Sequence, residues 1–376
     1  MAIGIICEYN PFHNGHLYHL NKVKALAKDE EIILILSGNF LQRGNLSIIN
    51  KYDKTRIALE YGVNLVIELP FQYATQSADL FAKGAIAILK KLKCNKLIFG
   101  SENPNIELFK KLAKIQLNSK EYDKKVKKYL QKGLNYPTAL SNALKIFSNF
   151  AITNPNDILA LSYIKEIINQ NTDIVPIAIK RTNNYHCTEL NNKISSATSI
   201  RKAIKELKDI KNYVPKATIK YLKNNNWEDN YFKILKYKII SDNKNLNKYQ
   251  TIDEGIENRI LKAIYISNNL EELIKTIKTK RYTYNKINRM LTHILCSFTK
   301  NEANNNKEIK YIRILGFDNI GKKYLNSIKK NCDIPIITNI KKDNIELLSI
   351  ELKCDSIYNL IMNENIDLFK QKPIIK

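Results

Sequence analysis

No C-x-x-C pair occurs among the six cysteines, and Cys7, Cys94, Cys187, Cys296, Cys332 and Cys354 lie far apart in the chain. That spacing argues against a zinc knuckle and against a disulfide framework, so free and mostly buried thiols are expected. No apolar stretch reaches the ~20 residues needed to cross a bilayer, and the first residues lack the basic-then-apolar order of a signal peptide. The expectation is a soluble, cytoplasmic chain with no membrane association. Acidic residues are also scarce: 36 Asp and Glu stand against 61 Lys and Arg, a net charge of +25. A small anionic metabolite does not need such an excess, and a polyanion such as nucleic acid is the natural partner. The competing explanation is compositional, since the chain is rich in Lys, Asn, Ile and Tyr throughout and lysine runs often only solvate helix faces. No obligate protein partner is evident.

With 376 residues, 44% of them hydrophobic, the chain exceeds one typical core and suggests at least two domains that fold without staples. Its chemistry concentrates near the N-terminus, where three of the five histidines fall within His13-Asn14-Gly15-His16-Leu17-Tyr18-His19. The apolar run Ile3 to Cys7 reads as a buried strand, Asn10-Pro11 as a turn, and Leu17, Leu20, Val23 and Leu26 as the apolar stripe of a following helix. The first N–H groups of a helix have no internal partner, and its dipole puts partial positive charge there, a ready site for phosphate. Gly15 permits close backbone approach. His13 and His16 flank that glycine, placed to donate hydrogen bonds to a phosphoryl group in an in-line displacement, the H-x-G-H arrangement of nucleotidyl transfer. An ordinary turn with a satisfied histidine is the bland reading, and the strand-to-helix context favours phosphate. Cys7, at the end of the strand, reads as a packed hydrophobe rather than a nucleophile.

Further strands are expected at Ile32 to Leu36, Leu65 to Leu69, Leu97 to Phe99 and Ile174 to Ile179, alternating with helices near 52–61, 77–92 and from Asn154-Pro155-Asn156-Asp157 onward. Continuous apolar strands between amphipathic helices signal an α/β fold, a Rossmann-like parallel sheet covered on both faces. His13, Gly38 and Gly100 fall at carboxyl ends of strands, where such sheets bind ligands. Residues 106–149 read as an inserted basic helical segment, with Lys124 and Lys128 as candidate RNA contacts. The run Ile194-Ser195-Ser196-Ala197-Thr198-Ser199-Ile200-Arg201 reads as a helix start whose hydroxyls cap free N–H groups. Ser196, Thr198 and Arg201 there would also suit the β- and γ-phosphates of a nucleotide.

Strand alternation stops near residue 211. Residues 1–211 are therefore read as a nucleotidyltransferase domain and 212–376 as a mainly helical basic region with a small α/β piece, its strands at Tyr311 to Leu315 and Ile334 to Thr338. In Lys280-Arg281-Tyr282-Thr283-Tyr284-Asn285-Lys286 and Arg289, cations interleave with aromatics, which suits RNA backbone contact and base stacking. A solvated helix face is the equal alternative. Gly316-Phe317-Asp318-Asn319-Ile320-Gly321-Lys322 mimics a P-loop, but Lys323 stands where the Mg²⁺-binding hydroxyl belongs.

The phrase Glu8-Tyr9-Asn10-Pro11-Phe12-His13-Asn14-Gly15-His16-Leu17-Tyr18-His19 resembles the tRNA(Met) cytidine acetate ligase family of H-x-G-H nucleotidyltransferases. Leu36-Ser37-Gly38-Asn39-Phe40, Gln42-Arg43-Gly44, Phe99-Gly100-Ser101-Glu102, Arg281-Tyr282-Thr283 and Leu291-Thr292-His293 extend the resemblance over most of the chain. Hydroxyls and an arginine at 195–201 depart from the lysine-rich second signature of class I aminoacyl-tRNA synthetases. The resemblance implies activation of acetate by ATP to acetyl-adenylate and transfer to N4 of the wobble cytidine of elongator tRNA(Met). It implies ATP contacts along Ile6, Cys7, Glu8, Tyr9, Asn10, Pro11, Phe12, His13, Asn14, Gly15, His16, Leu17, Tyr18, His19 and Leu20, and at Gly100, Asn156 and Arg181. Mg²⁺ would accompany the triphosphate, although no dedicated ligand cage is seen. Two other functions share these motifs: an adenylyltransferase for a small phosphorylated cofactor precursor, and an RNA-binding protein with a non-catalytic ATP site.

Overall fold

A computed structural model describes residues 1–181, 195–223 and 227–376, so Cys187 and Ile194 lie outside the described residues. The strands are β1 Ala2–Cys7, β2 Glu31–Ser37, β3 Leu65–Leu69, β4 Lys96–Ser101, β5 Val175–Lys180, β6 Ile312–Phe317, β7 Ile336–Ile337 and β8 Ile374–Ile375. They form one sheet in the order β5-β4-β1-β2-β3-β6-β7, with β8 also paired to β6. From β5 to β3 every pairing is parallel. The apolar runs dictate this: Ile33, Leu34, Ile35 and Leu36 are all buried, which demands cover on both faces. Helices Asn14–Ala27, Lys51–Glu60 and Ala78–Lys91 connect the first four strands.

Strand order reverses between β1, followed by β2 and β3 on one side, and β4 and β5 on the other. In an open parallel sheet that switch point is where the strand ends splay around a ligand crevice. In the first helix Leu20 and Val23 are buried as expected, but Leu26 is exposed and Ala27 takes the last place on the buried stripe. The basic insertion is three helices, Ile106–Asn118, Lys120–Gln131 and Tyr136–Ser148, of which Phe109, Leu112 and Ala143 join the sheet's core.

The small α/β piece expected at the C-terminus is instead part of the first sheet. β6 pairs antiparallel with β3. The reason is physical: β3 is buried along its length, and without a neighbour it would present an apolar open edge. The P-loop mimic is absorbed by this junction. Asp318 caps the helix Asn319–Lys329 by accepting from Gly321 N–H at 2.8 Å, and a Cβ at Gly321 would lie 1.9 Å from the Asn64 carbonyl oxygen.

Helices Trp227–Ser241, Ile256–Ile266, Leu270–Ile277, Tyr284–Leu295 and Ser349–Met362 build a second core. Phe40 and Phe71 from the sheet region reach into it. Between the two cores lies a buried ionic group. The Lys51 ammonium donates to Glu68 Oε1 at 2.6 Å and to Asp355 Oδ2 at 2.5 Å, Arg313 Nε lies 3.4 Å from Glu68 Oε2, and Asn39 Nδ2 donates to Asp355 Oδ1 at 2.9 Å. Two cations and two anions balance, which makes their burial tolerable.

Candidate active site

At the switch point the ends of β1, β4 and β5 open into a cavity of about 260 Å³. Ile6, Cys7 and Glu8 reach it from β1 and its continuation, Phe99 and Gly100 from β4, and Ile179, Lys180 and Arg181 from β5. His13, Gly15, His16, Tyr18 and His19 enter from the first helix start, Asn156, Leu159 and Tyr163 from the helix Pro155–Asn169, and Ser195, Ser196, Thr198 and Arg201 from the start of the helix Ala197–Lys205. Segments remote in sequence thus share one crevice.

The two histidines of the motif cap their own helix. Gly15 N–H donates to His13 Nδ1 at 3.0 Å, His13 N–H donates to His16 Nδ1 at 3.3 Å, and the rings stack with centroids 3.8 Å apart. Because each Nδ1 accepts a backbone proton, each neutral ring carries its own proton on Nε2. Burial keeps them neutral: His13 is pulled down to about 3, with Arg181 and Arg201 adding to the effect. His16 is also pulled well down, by burial and then by His13 and Arg181, against a hydrogen bond with Pro11 that favours its charged form. His19, lowered to about 4 by burial and Arg181, lines the cavity, and its Nε2 has no partner among the described residues.

Positive charge comes from arginines. Arg201 donates from Nη1 to the Asn10 carbonyl at 2.7 Å and from Nη2 to Thr198 Oγ1 at 3.3 Å; Arg181 lies 3.9 Å from Glu102. Gly100 lies directly against the Arg181 side chain: a Cβ there would come 3.4 Å from its Cγ, an ordinary contact. Glu102 also accepts from Asn156 Nδ2 at 2.6 Å, which ties Asn156 to the end of β4. Ser196 is both cap and lining: its Oγ accepts from Ser199 N–H at 3.1 Å. Beneath the floor the Lys54 ammonium donates to the carbonyls of Glu8 at 3.0 Å, Ser37 at 2.8 Å and Gly38 at 2.8 Å, three acceptors for three protons.

Not every expected contact faces the cavity. Phe12 stacks on Tyr61 at 5.2 Å, Leu20 is buried in the core, and Leu17 packs on the same apolar cluster, because the helix needs one face for the sheet. Pro11 is also buried away from the lining. Asn14 turns outward, donating from Nδ2 to the Asn212 carbonyl at 2.8 Å. Burial pushes the Cys7 thiol up to about 12, which keeps it protonated, as befits a packed hydrophobe. Conversely, Leu41, Gln42, Arg43 and Asn45 line the cavity although residue-by-residue reading assigned them nothing. In the sequence that loop is marked only by the Gln42-Arg43-Gly44 likeness.

The candidate RNA contacts are dispersed. Lys124 and Lys128 are exposed on the insertion, Lys124 pairing with Glu121 at 2.7 Å. Lys280 is exposed and Arg281 pairs with Glu254 at 2.5 Å. Tyr282 corrects the stacking expectation: its ring is buried in the second core with Lys286 over it at 4.8 Å, leaving no face for a base. Arg289 points the other way, to the cavity loop, donating from Nη1 to the Gln42 carbonyl at 3.4 Å.

The model of the HIGH Nucleotidyl Transferase family matches residues 1–372. A tRNA(Met) cytidine acetate ligase of Geobacillus sp. is 40% identical over 365 residues, covering 92% of this chain and 91% of that one. Its namesake in Oceanobacillus iheyensis is 38% identical over 397 residues, covering 100% and 99%. The apo crystal structure of Thermotoga maritima TmcAL matches with a TM-score of 0.91 at 28% identity, covering 100% of this chain and 99% of that one. The same protein bound with alpha-thio ATP matches at 0.89. Likeness of this degree, sustained from end to end, makes the chain a member of the HIGH nucleotidyl transferase family, among the tRNA(Met) cytidine acetate ligases.

Proposed function

We propose that this enzyme activates acetate with ATP to acetyl-adenylate and passes the acetyl group to N4 of the wobble cytidine of elongator tRNA(Met). The observation that carries this reading is the convergence of the H-x-G-H helix start, Gly100, Asn156, Arg181 and Arg201 on one cavity in a chain of this family. Acetate oxygen attacks the α-phosphorus and pyrophosphate leaves. Negative charge then grows on the phosphoryl oxygens, and donors fixed beforehand stabilise it without reorganising. Neutral His13 and His16, each with a proton on Nε2, serve as such donors, and Arg181 and Arg201 supply the charge that draws the triphosphate in. No covalent enzyme intermediate is required.

Among the described residues no group of three or more His, Cys, Asp or Glu forms a metal cage. The cavity lining, with Arg43, Lys180, Arg181 and Arg201 against the single carboxylate of Glu8, does not fit a resident cation, and Mg²⁺ in this reading arrives as the counterion of ATP. Acceptor RNA is assigned to the basic helical region 212–376 together with the insertion, a division that follows the +25 charge. The end-to-end likeness to acetate ligases favours this reading over an adenylyltransferase for small precursors or a non-catalytic RNA binder.

The test is ATP–pyrophosphate exchange with a panel of short carboxylates, followed by assay of acetylcytidine in tRNA(Met). Acetate-driven exchange and tRNA acetylation are expected. Exchange with no carboxylate, with or without tRNA, would overturn the proposal.

A further inference from the structure

Glu8 is the only carboxylate that lines the cavity among the described residues, and an anion sits badly where a triphosphate must bind. Its position is nevertheless built. The Glu8 carbonyl is held by the Lys54 ammonium at 3.0 Å, itself anchored on Ser37 and Gly38 at 2.8 Å each. Its Oε1 accepts from Gln42 N–H at 2.7 Å, and Glu8 makes no ion pair among the described residues although Arg43 lies close enough to interact with it. One carboxylate oxygen is thus fixed by backbone, and the other is left to the cavity. The loop that fixes it, 41–45, is the one that the helix Tyr284–Leu295 grips through Arg289 and Thr292.

Glu8 lies within electrostatic reach of both Arg43 and Arg201. Its charge repels the phosphates, which leaves the uncharged acyl group and whatever attacks it as the parts suited to lie beside its free oxygen. We propose that Glu8 is a catalytic residue of the second step, orienting the cytidine amino group and accepting its proton. The inference rests on the acetyl-transfer reading above. The balance is simple: N4 forms a bond to the acetyl carbon, the bond from that carbon to the phosphate oxygen breaks, and AMP leaves with the electron pair. The proton lost from N4 goes to the free Glu8 oxygen and then to water. Nitrogen that has begun to attack carries positive charge and is a strong acid, so a carboxylate suffices as base. The first step needs no base, because acetate attacks as an anion.

The experiment separates the steps in Glu8→Gln and Glu8→Asp. Single-turnover transfer to tRNA(Met) is measured from chemically prepared acetyl-adenylate with enzyme in excess, and acetate-dependent ATP–pyrophosphate exchange is measured without RNA. For Glu8→Gln we expect transfer to slow by about 10²-fold or more, the usual scale for a lost general base, while exchange falls less than transfer. Glu8→Asp should recover part of the transfer rate. Wild-type transfer in Glu8→Gln would overturn the assignment, and so would equal loss of both steps with a rise in KM for ATP, which would make Glu8 a nucleotide contact. A wild-type enzyme lacking acetate-driven exchange would overturn the parent reading instead.

Discussion

The Thr292 hydroxyl donates to the Gly44 carbonyl at 2.6 Å across 248 residues of sequence, joining the cavity loop to the helix Tyr284–Leu295. Gly44 is suited to that contact in two ways. Its φ is +79, and a Cβ there would come 2.4 Å from Arg289 N and from Asn288 C, backbone atoms that cannot swing aside. Gly44→Ala should therefore destabilise the fold by about 2 kcal/mol or more, from the left-handed backbone and the overlap together. Urea unfolding checks this; a variant as stable as the parent would mean that loop and helix separate freely.

His16→Ala removes a fixed donor from the helix start while leaving the sheet untouched. Acetate-dependent pyrophosphate exchange should fall by about 10²-fold or more, as when one preorganised donor is lost. Unchanged exchange would take the chemistry away from this motif.

Lys51→Met should cost about 3–5 kcal/mol, because among the described residues it leaves Glu68 and Asp355 buried with Arg313 as their one ion-pair partner. The effect should appear as a lower denaturant midpoint. Restoring balance with Lys51→Met plus Asp355→Asn should recover much of the loss, and absence of recovery would show that packing, not charge, governs the site.

Acid should destabilise the protein before most carboxylates titrate. Burial holds His13 to about 3 and His19 and His293 to about 4, against an ordinary 6.5. Below 6.5 the unfolded chain takes up these protons and the folded chain does not, so stability present at neutral pH is lost as pH falls, by about 1.4 kcal/mol per unit per group. Glu351, pushed up to about 7 by burial, works in the opposite sense and offsets one of the three. Urea midpoints should drop steadily from pH 7 to pH 5; a flat profile would contradict burial of neutral histidines.

If the basic faces bind RNA backbone, tRNA affinity should fall steeply with salt, and Lys128→Ala or Lys280→Ala should each lessen the slope by about 0.7 to 0.9. Tyr282→Phe should leave the slope unchanged and lower stability slightly, since its hydroxyl donates to Glu254 at 3.1 Å. Equilibrium binding over a salt series measures both.

β1 to β5 were legible because a strand buried on both faces must be apolar throughout, and Ile33 to Leu36 or Leu65 to Leu69 carry that demand locally. The H-x-G-H turn was legible for a similar reason: its residues act within one helical turn. What escaped is non-local. Nothing in Ile312 to Phe317 announces that its partner is β3, because pairing across such a separation leaves no periodic trace. Arg43 and Gln42 sit in a polar loop whose direction is set by the helix that holds it, and Tyr282 looks like a stacking platform until its neighbours are placed around it.

The antiparallel pairing of β6 with β3 also times how the enzyme is made. A ribosome adding about 5–20 residues per second needs roughly 10–50 s to pass from β3 to β6, and during that interval the growing sheet has an unfinished edge. A message cut short in that interval yields a chain whose β3 has an uncovered apolar border, fit for proteolysis rather than for lasting use. Every residue that lines the cavity precedes β6, yet the sheet that carries the cavity has its β3 edge covered only when that distant strand arrives.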